Sequence, residues 1–413
     1  MLLSGSIPQR LFIRQHALIW SSCLLFSCLM IIYYWYIIII KDTPTDIQAH
    51  VNYLSHNICI EHKPAPANSG FYYITWLLAG FSCDYTLLLK IAVVFLGLSW
   101  GATALLSTYA GLHLSSWENE YENQIKHSDF SILSTLLVAI ISCIIFPIIV
   151  SRSTLYLGLF PPNVYHNSTW LGGLPWTIVI FFLGTYQLRA ESQKLRFEIL
   201  IGILLIISAW FKPSFAFVFV PSYALLRVAH TRWGLLPSLV LPFSLSLLPV
   251  VVFVIGQVLW IAAFPQTNPS KDDAHFAFAF PAGWRYAMPY LPWDRALIRF
   301  GSSFFLPAVA YYLRPDWLKH VSHKLALLCT IVGFLLFMLV YETGERSTHG
   351  NLLWQCFYAN HIVYWIIILS AINWKPSSSI EKRQRIILFI VIIINIVSGL
   401  IYLTSIIIKR DYS

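Results

Sequence analysis

Charge is what this chain has least of. Asp, Glu, Lys and Arg make up 11% of its 413 residues, where soluble domains carry about 25%. That deficit excludes a large water-soluble domain. Cysteine is also sparse. The seven present are scattered, mostly in apolar runs, with no CxxC and no His/Cys metal spacing, so they read as packing residues. Cys59 and Cys83 can pair only if both face an oxidising compartment. The sequence has no G-x-S-x-G, no P-loop, no G-x-G-x-x-G and no H-E-x-x-H. Nucleotide-dependent chemistry is therefore not expected, and no cofactor is; a divalent metal stays open.

What is present is long uncharged apolar sequence from end to end. Hydrophobic residues make up 58% and the mean hydropathy is +0.68, which indicates an all-α polytopic transmembrane bundle, a single integral membrane domain over 1–413. The net charge of +9 does not require nucleic acid, because Lys and Arg collect in the cytoplasmic loops of membrane proteins.

Residues 1–16 are too polar and too long for a signal peptide, so 17–40 reads as a retained first span. Arg10 and Arg14 before it put the N-terminus in the cytoplasm. The loop and short segment 41–84 are then outside, with Phe71–Phe81 too short to cross and so re-entrant or interfacial. Further spans are expected near 85–113, 130–150, 174–188, 198–211, 214–228, 235–264, 301–313, 325–341, 352–373 and 386–408, for about 10–11 in all. Lys212-Pro213 forms the outer turn of a helical hairpin, since proline does not continue a helix interior cheaply. Residues 265–300 form a large outer loop. In this arrangement 15 of the 27 Lys and Arg lie inside and 11 outside.

The same topology gathers the unusual polar segments on the outer face, although none was used to orient it. They are Asp42, Asp46 and His50; Asn163, His166 and Asn167; Lys212; the 265–300 loop; and Glu342, Glu345, Arg346, His349 and Asn351. Ionisable groups near hydrocarbon cost roughly 2.5–3.5 kcal/mol each, which makes idle ones unexpected. Asp46 and His50 share one helical face. Each cluster also has a plainer reading. Asp46 and His50 can be a loop pair or a helix cap, Lys212 can snorkel, and Asn163, His166 and Asn167 can be turn formers around Pro161-Pro162. Asn167-Ser-Thr is a glycosylation sequon of a kind that often arises by chance. Most aromatics form an interface belt, while Trp170, Trp284 and Trp293 can line a sugar groove.

Together these segments resemble the GT-C class of polytopic membrane glycosyltransferases. The resemblance rests on a first outer loop with Asp46 and His50, the Pro-rich passage into a short apolar helix (Pro64–Phe81), the Lys212–Pro221 hairpin, and Gly344–Asn351. Size and layout are similar to phage-type serotype-converting glucosyltransferases, which decorate the O-antigen of lipopolysaccharide. The resemblance implies transfer of a hexose from a polyprenyl-phosphate carrier to a lipid-linked glycan acceptor, on the periplasmic face of the bacterial inner membrane. It implies Asp46 as general base, with Asp42 second and His50 beside them. Lys212, Arg346, His349 and His166 would hold the donor phosphate. Asn163, Asn167, Trp170, Glu345 and Asn351 would hold sugar. The Asp-Glu pair of some members' first loops is absent, against a metal-dependent variant. Two other readings share the outer site: an O-antigen polymerase or other polysaccharide-modifying enzyme, and a lipid or sugar transporter. No clear internal repeat of the kind many transporters have is visible.

Overall fold

The computed structural model describes residues 9–120, 129–148, 159–189, 194–231, 237–264, 276–287, 292–343 and 351–409. The chain opens with α1 (Gln9–Tyr34), which winds on as a π-helical stretch over Trp35–Ile40. Two short helices follow at one end of the bundle. The first, α2 (Asp46–Asn52), continues as a π-helix over Tyr53–Ile60; the second is α3 (Gly70–Leu78). Then come α4 (Tyr85–Glu120), α5 (Asp129–Ile144), α6 (Ser168–Arg189), α7 (Leu195–Phe211), α8 (Ser214–His230), α9 (Val240–Ser246) and α10 (Leu248–Ala263). The strand β1 (Phe276–Phe278) precedes α11 (Trp293–Leu313) and α12 (Val321–Leu339). The second strand, β2 (Val340–Glu342), leads to α13 (Trp354–Asn373) and α14 (Ser379–Lys409). The architecture is an all-α multi-pass bundle. Its one small ribbon pairs Phe276 with Glu342 and Phe278 with Val340, antiparallel, among the described residues.

Among the described residues, seven helices (α1, α4, α6, α11, α12, α13 and α14) are long and apolar enough to cross a bilayer, and an eighth crossing is reached if α9 and α10 are one bent span. The expected number of spans is about 10–11. The difference lies in short passes: α5 has 16 residues and α7 and α8 have 17 each. At 1.5 Å per residue they reach about 24–26 Å, short of the ~30 Å hydrocarbon core.

The irregular backbone after α5 shows how a short pass is tolerated. Residues 159–167 are buried, and side chains satisfy their neighbourhood. Asn163 Nδ2 donates to the carbonyls of Ser142 (2.9 Å) and Ile145 (2.8 Å), and Tyr165 Oη donates to that of Cys143. Ser303 Oγ accepts from the amides of Leu159 and Phe160, both at 2.9 Å.

The expected span 235–264 is broken, with a 48° bend at Leu247. Pro249 has no N–H for the carbonyl of Leu245, so the ladder lapses there. Gly202 of α7 lies against that carbonyl, where a Cβ would come within 2.4 Å of it. Two further boundaries differ. Helix α6 starts at Ser168, not 174, because Asn167 caps it: its Oδ1 accepts from the amide of Trp170 at 2.9 Å. Helix α11 starts at Trp293, so Asp294, Arg295 and Arg299 are helical rather than part of the 265–300 loop.

Helix α13 is the axis of the bundle, buried from Trp354 to Ala371, while α1, α11 and α14 lie at the periphery with most of their surface outward. The α1–α4 crossing rests on Gly97 and Gly101, a small-xxx-small pair. A Cβ on Gly97 would fall 2.8 Å from the backbone nitrogen of Ile31, and one on Gly101 1.6 Å from Ser27 Oγ.

Candidate functional site

Helix α2 begins with a capping box. Thr45 Oγ1 accepts from the amide of Gln48, and Gln48 Oε1 accepts from the amide of Thr45 at 2.8 Å. Ile47 and Val51 are buried, which turns Asp46 and His50, half-buried, together toward the start of α6. There Asn167 does two jobs. Its Oδ1 caps the helix, so its Nδ2 faces away and donates to Asp46 Oδ2 at 2.8 Å. One turn on, His50 Nδ1 lies 2.6 Å from Ser168 Oγ.

Lys212 reaches the same place from the α7–α8 turn. The proline after it favours extended backbone, and Lys212 has φ −161° and ψ 121°. Its buried ammonium sits 3.8 Å from the centroid of the Trp354 ring and 3.5 Å from Thr169 Oγ1, a cation–π contact with one hydroxyl partner. Burial pulls its pKa down to about 7, with Asp46 and Glu342 opposing the fall. Burial also lowers His50 and His166 to about 4, with Asp46 working against it and Lys212 adding to it in both. At neutral pH the two imidazoles are therefore uncharged. Asp46 and Glu342 are the acids that face Lys212.

Lys212 is also one wall of a cavity of about 200 Å³. Its lining mixes polar residues (Asn68, Gln257, Glu342) with apolar ones (Trp354, Val254, Phe276). Gln257 Nε2 is held by the carbonyls of Ala67 and Ala209, both at 3.0 Å. Asp46 and His50 do not line the cavity; Lys212 stands between it and them.

Of the residues singled out in the sequence, the structure brings together Asp46, His50, His166, Asn167, Lys212 and Glu342 from four segments far apart in the chain. It leaves others out. Asp42 is exposed and accepts from Gln48 Nε2 at 2.8 Å. Asn163 cannot meet a sugar as expected: it is fully buried, its amide is spent on α5 carbonyls, and its Oδ1 lies 3.1 Å from His361 Nδ1. Trp170 is likewise core rather than groove, fully buried and stacked on Tyr358 at 5.4 Å. Trp284 is buried against Trp293, rings 5.2 Å apart and 8° from parallel, and only Trp293 is exposed. Asn167 contacts Asp46 rather than open space. Glu345, Arg346 and His349, with residues 265–275, lie outside the described residues, as does the side chain of Asn351, which opens a 3-10 turn. No group of three or more His, Cys, Asp or Glu able to hold a metal ion occurs among the described residues.

Ser168, Thr169 and Trp354 were missed in the sequence. The polar triplet Asn167-Ser168-Thr169 ahead of an apolar run was the available signal for the first two, as a helix start; nothing local marks Trp354.

Comparison with protein-family models, with curated proteins and with solved structures finds no match for this chain.

Proposed function

We propose that the chain is a membrane glycosyltransferase that moves a hexose from a polyprenyl-phosphate carrier to a hydroxyl of a lipid-linked glycan. The bacterial inner membrane would hold it, with the N-terminus cytoplasmic and this end of the bundle periplasmic. The observation that supports the reading is the convergence of Asp46, His50 and Lys212, the last of which lines a cavity walled by both polar and apolar residues. That pairing suits a substrate with a charged head and a hydrocarbon tail.

In the proposed step the acceptor oxygen attacks the anomeric carbon. The carbon–oxygen bond to phosphate breaks with its electron pair leaving on phosphate, and the acceptor proton passes to Asp46. A hydroxyl is a poor nucleophile without a base in hydrogen-bond reach. Asn167 fixes one oxygen of Asp46 and leaves the other for that proton. Lys212 balances the charge gathering on the leaving phosphate. Displacement of this kind inverts the anomeric centre. Asp46 is favoured over Asp42 because only Asp46 joins the cluster.

The test is sugar transfer by purified protein given a polyprenyl-phosphate hexose and a lipid-linked glycan. Asp46→Asn should cut the rate by about 10²-fold or more, the general-base scale, and Asp42→Ala should leave it near wild type. Full activity in Asp46→Asn would remove this site from the mechanism. Loss of a single side branch from the cell-surface glycan, with chain length unchanged, would separate this reading from a polymerase.

A further inference from the structure

The π-helix that continues α2 lies against the turn between α3 and α4. Ser55 Oγ donates to the carbonyl of Cys83 at 2.6 Å. Cys59 is four residues beyond Ser55 and shares its helical face, which puts it beside the same turn. The two thiols are close enough for Cys83 to affect the ionisation of Cys59, with Cys59 buried and Cys83 half-exposed. The other five cysteines are Cys23, Cys28, Cys143, Cys329 and Cys356, all within or beside the bundle helices α1, α5, α12 and α13. Both members of the pair belong to the end of the bundle that carries Asp46 and Lys212.

We propose that Cys59 and Cys83 form a disulfide in the cell that braces the segment carrying Asp46 and His50. The proposal rests on the reading that this end of the bundle faces an oxidising compartment. The oxidant is a disulfide donor of the thiol-exchange class. Cys83, the member that reaches the surface, attacks the donor as thiolate and releases one donor thiolate. Cys59 then attacks the Cys83 sulfur of the mixed disulfide and expels the second donor thiolate, which takes up the Cys59 proton. Two thiols are oxidised and one donor disulfide becomes a dithiol. Burial and the neighbouring thiol hold the Cys59 proton tightly, with a pKa pushed up to about 12, so the second exchange is the slow one. The bond closes a loop of about 25 residues that includes all of α3, a span in which a crosslink restrains the unfolded chain strongly.

Whole cells are quenched with N-ethylmaleimide under denaturing conditions. The purified chain is then reduced and labelled with a heavier maleimide. The expected result is heavy label on two cysteines, mapped to positions 59 and 83, and light label on the other five. Cys59→Ser should move position 83 entirely to light label, and Cys83→Ser should do the same for position 59. A second arm treats purified, folded protein in detergent with excess oxidised glutathione. Light label at both positions in cells, with no crosslink after glutathione, would overturn the pairing. Light label in cells with a crosslink after glutathione would show the pair correctly placed but the compartment wrong. That outcome would overturn both the cellular disulfide and the outward orientation.

Discussion

Raising the pH from 6 to 9 should discharge Lys212, and with it the proposed hold on the leaving phosphate. Its pKa is drawn down to about 7 by burial, so about half of the free protein carries the charge at pH 7, about a tenth at pH 8 and about a hundredth at pH 9. If only the ammonium form is productive, kcat/KM should fall roughly tenfold per pH unit above 7, because that parameter reports the free enzyme. A bound phosphate favours the cation, so in kcat the same limb should move to higher pH.

Unfolding cannot imitate this fall. A lysine with a depressed folded-state pKa gives up its proton near pH 7 when folded and near 10.4 when unfolded. Between those values the unfolded chain binds more protons, so this group makes the fold more stable as pH rises while activity drops. Lys212→Arg keeps a cation over the Trp354 ring and stays charged throughout, so the alkaline limb should disappear below pH 9. The assay is transfer from a polyprenyl-phosphate hexose across pH 6–9. An unchanged limb in Lys212→Arg, or undiminished transfer in Lys212→Met, would refute the reasoning.

Two further outcomes concern the scaffold. At the other end of the bundle Glu198 Oε1 accepts from Tyr223 Oη (2.8 Å), Gln187 Nε2 (3.0 Å) and Arg227 (3.2 Å), fully buried. Glu198→Leu should leave Arg227 uncompensated and cost about 3–5 kcal/mol, and adding Arg227→Met should recover most of that; denaturation in detergent measures both, and a double variant no better than the single would contradict the pairing. Gly97→Ala should cost about 1–3 kcal/mol by forcing α1 off α4, since the added Cβ meets backbone at 2.8 Å. An unchanged melting temperature would show the crossing to be looser than described.

Turns and helix ends were legible where proline, charge and run length act as local signals. Lys212-Pro213 announced its turn, and α7 and α8 end within a few residues of where they were expected. Asp46 and His50, four apart, share one helical face as their spacing implied, on a helix that Thr45 caps. Run length misled where apolar sequence is buried by protein rather than by lipid. Residues 145–148 continue the apolar run of α5 yet are not helical, because Pro147 has no N–H for the carbonyl of Cys143, which Tyr165 Oη takes instead.

By itself, the sequence determined that this chain lives in a bilayer, which segments are apolar enough to enter it, and which polar segments stand apart from them. Composition and periodicity act residue by residue, so a linear reading reaches that far. Only the tertiary structure decided that Asp46 meets Asn167 while Asp42 does not, that Trp170 and Asn163 hold the core, and that Lys212 rests on Trp354. Those outcomes depend on which helices become neighbours, and side chains separated by more than a hundred positions meet only once the helices have packed.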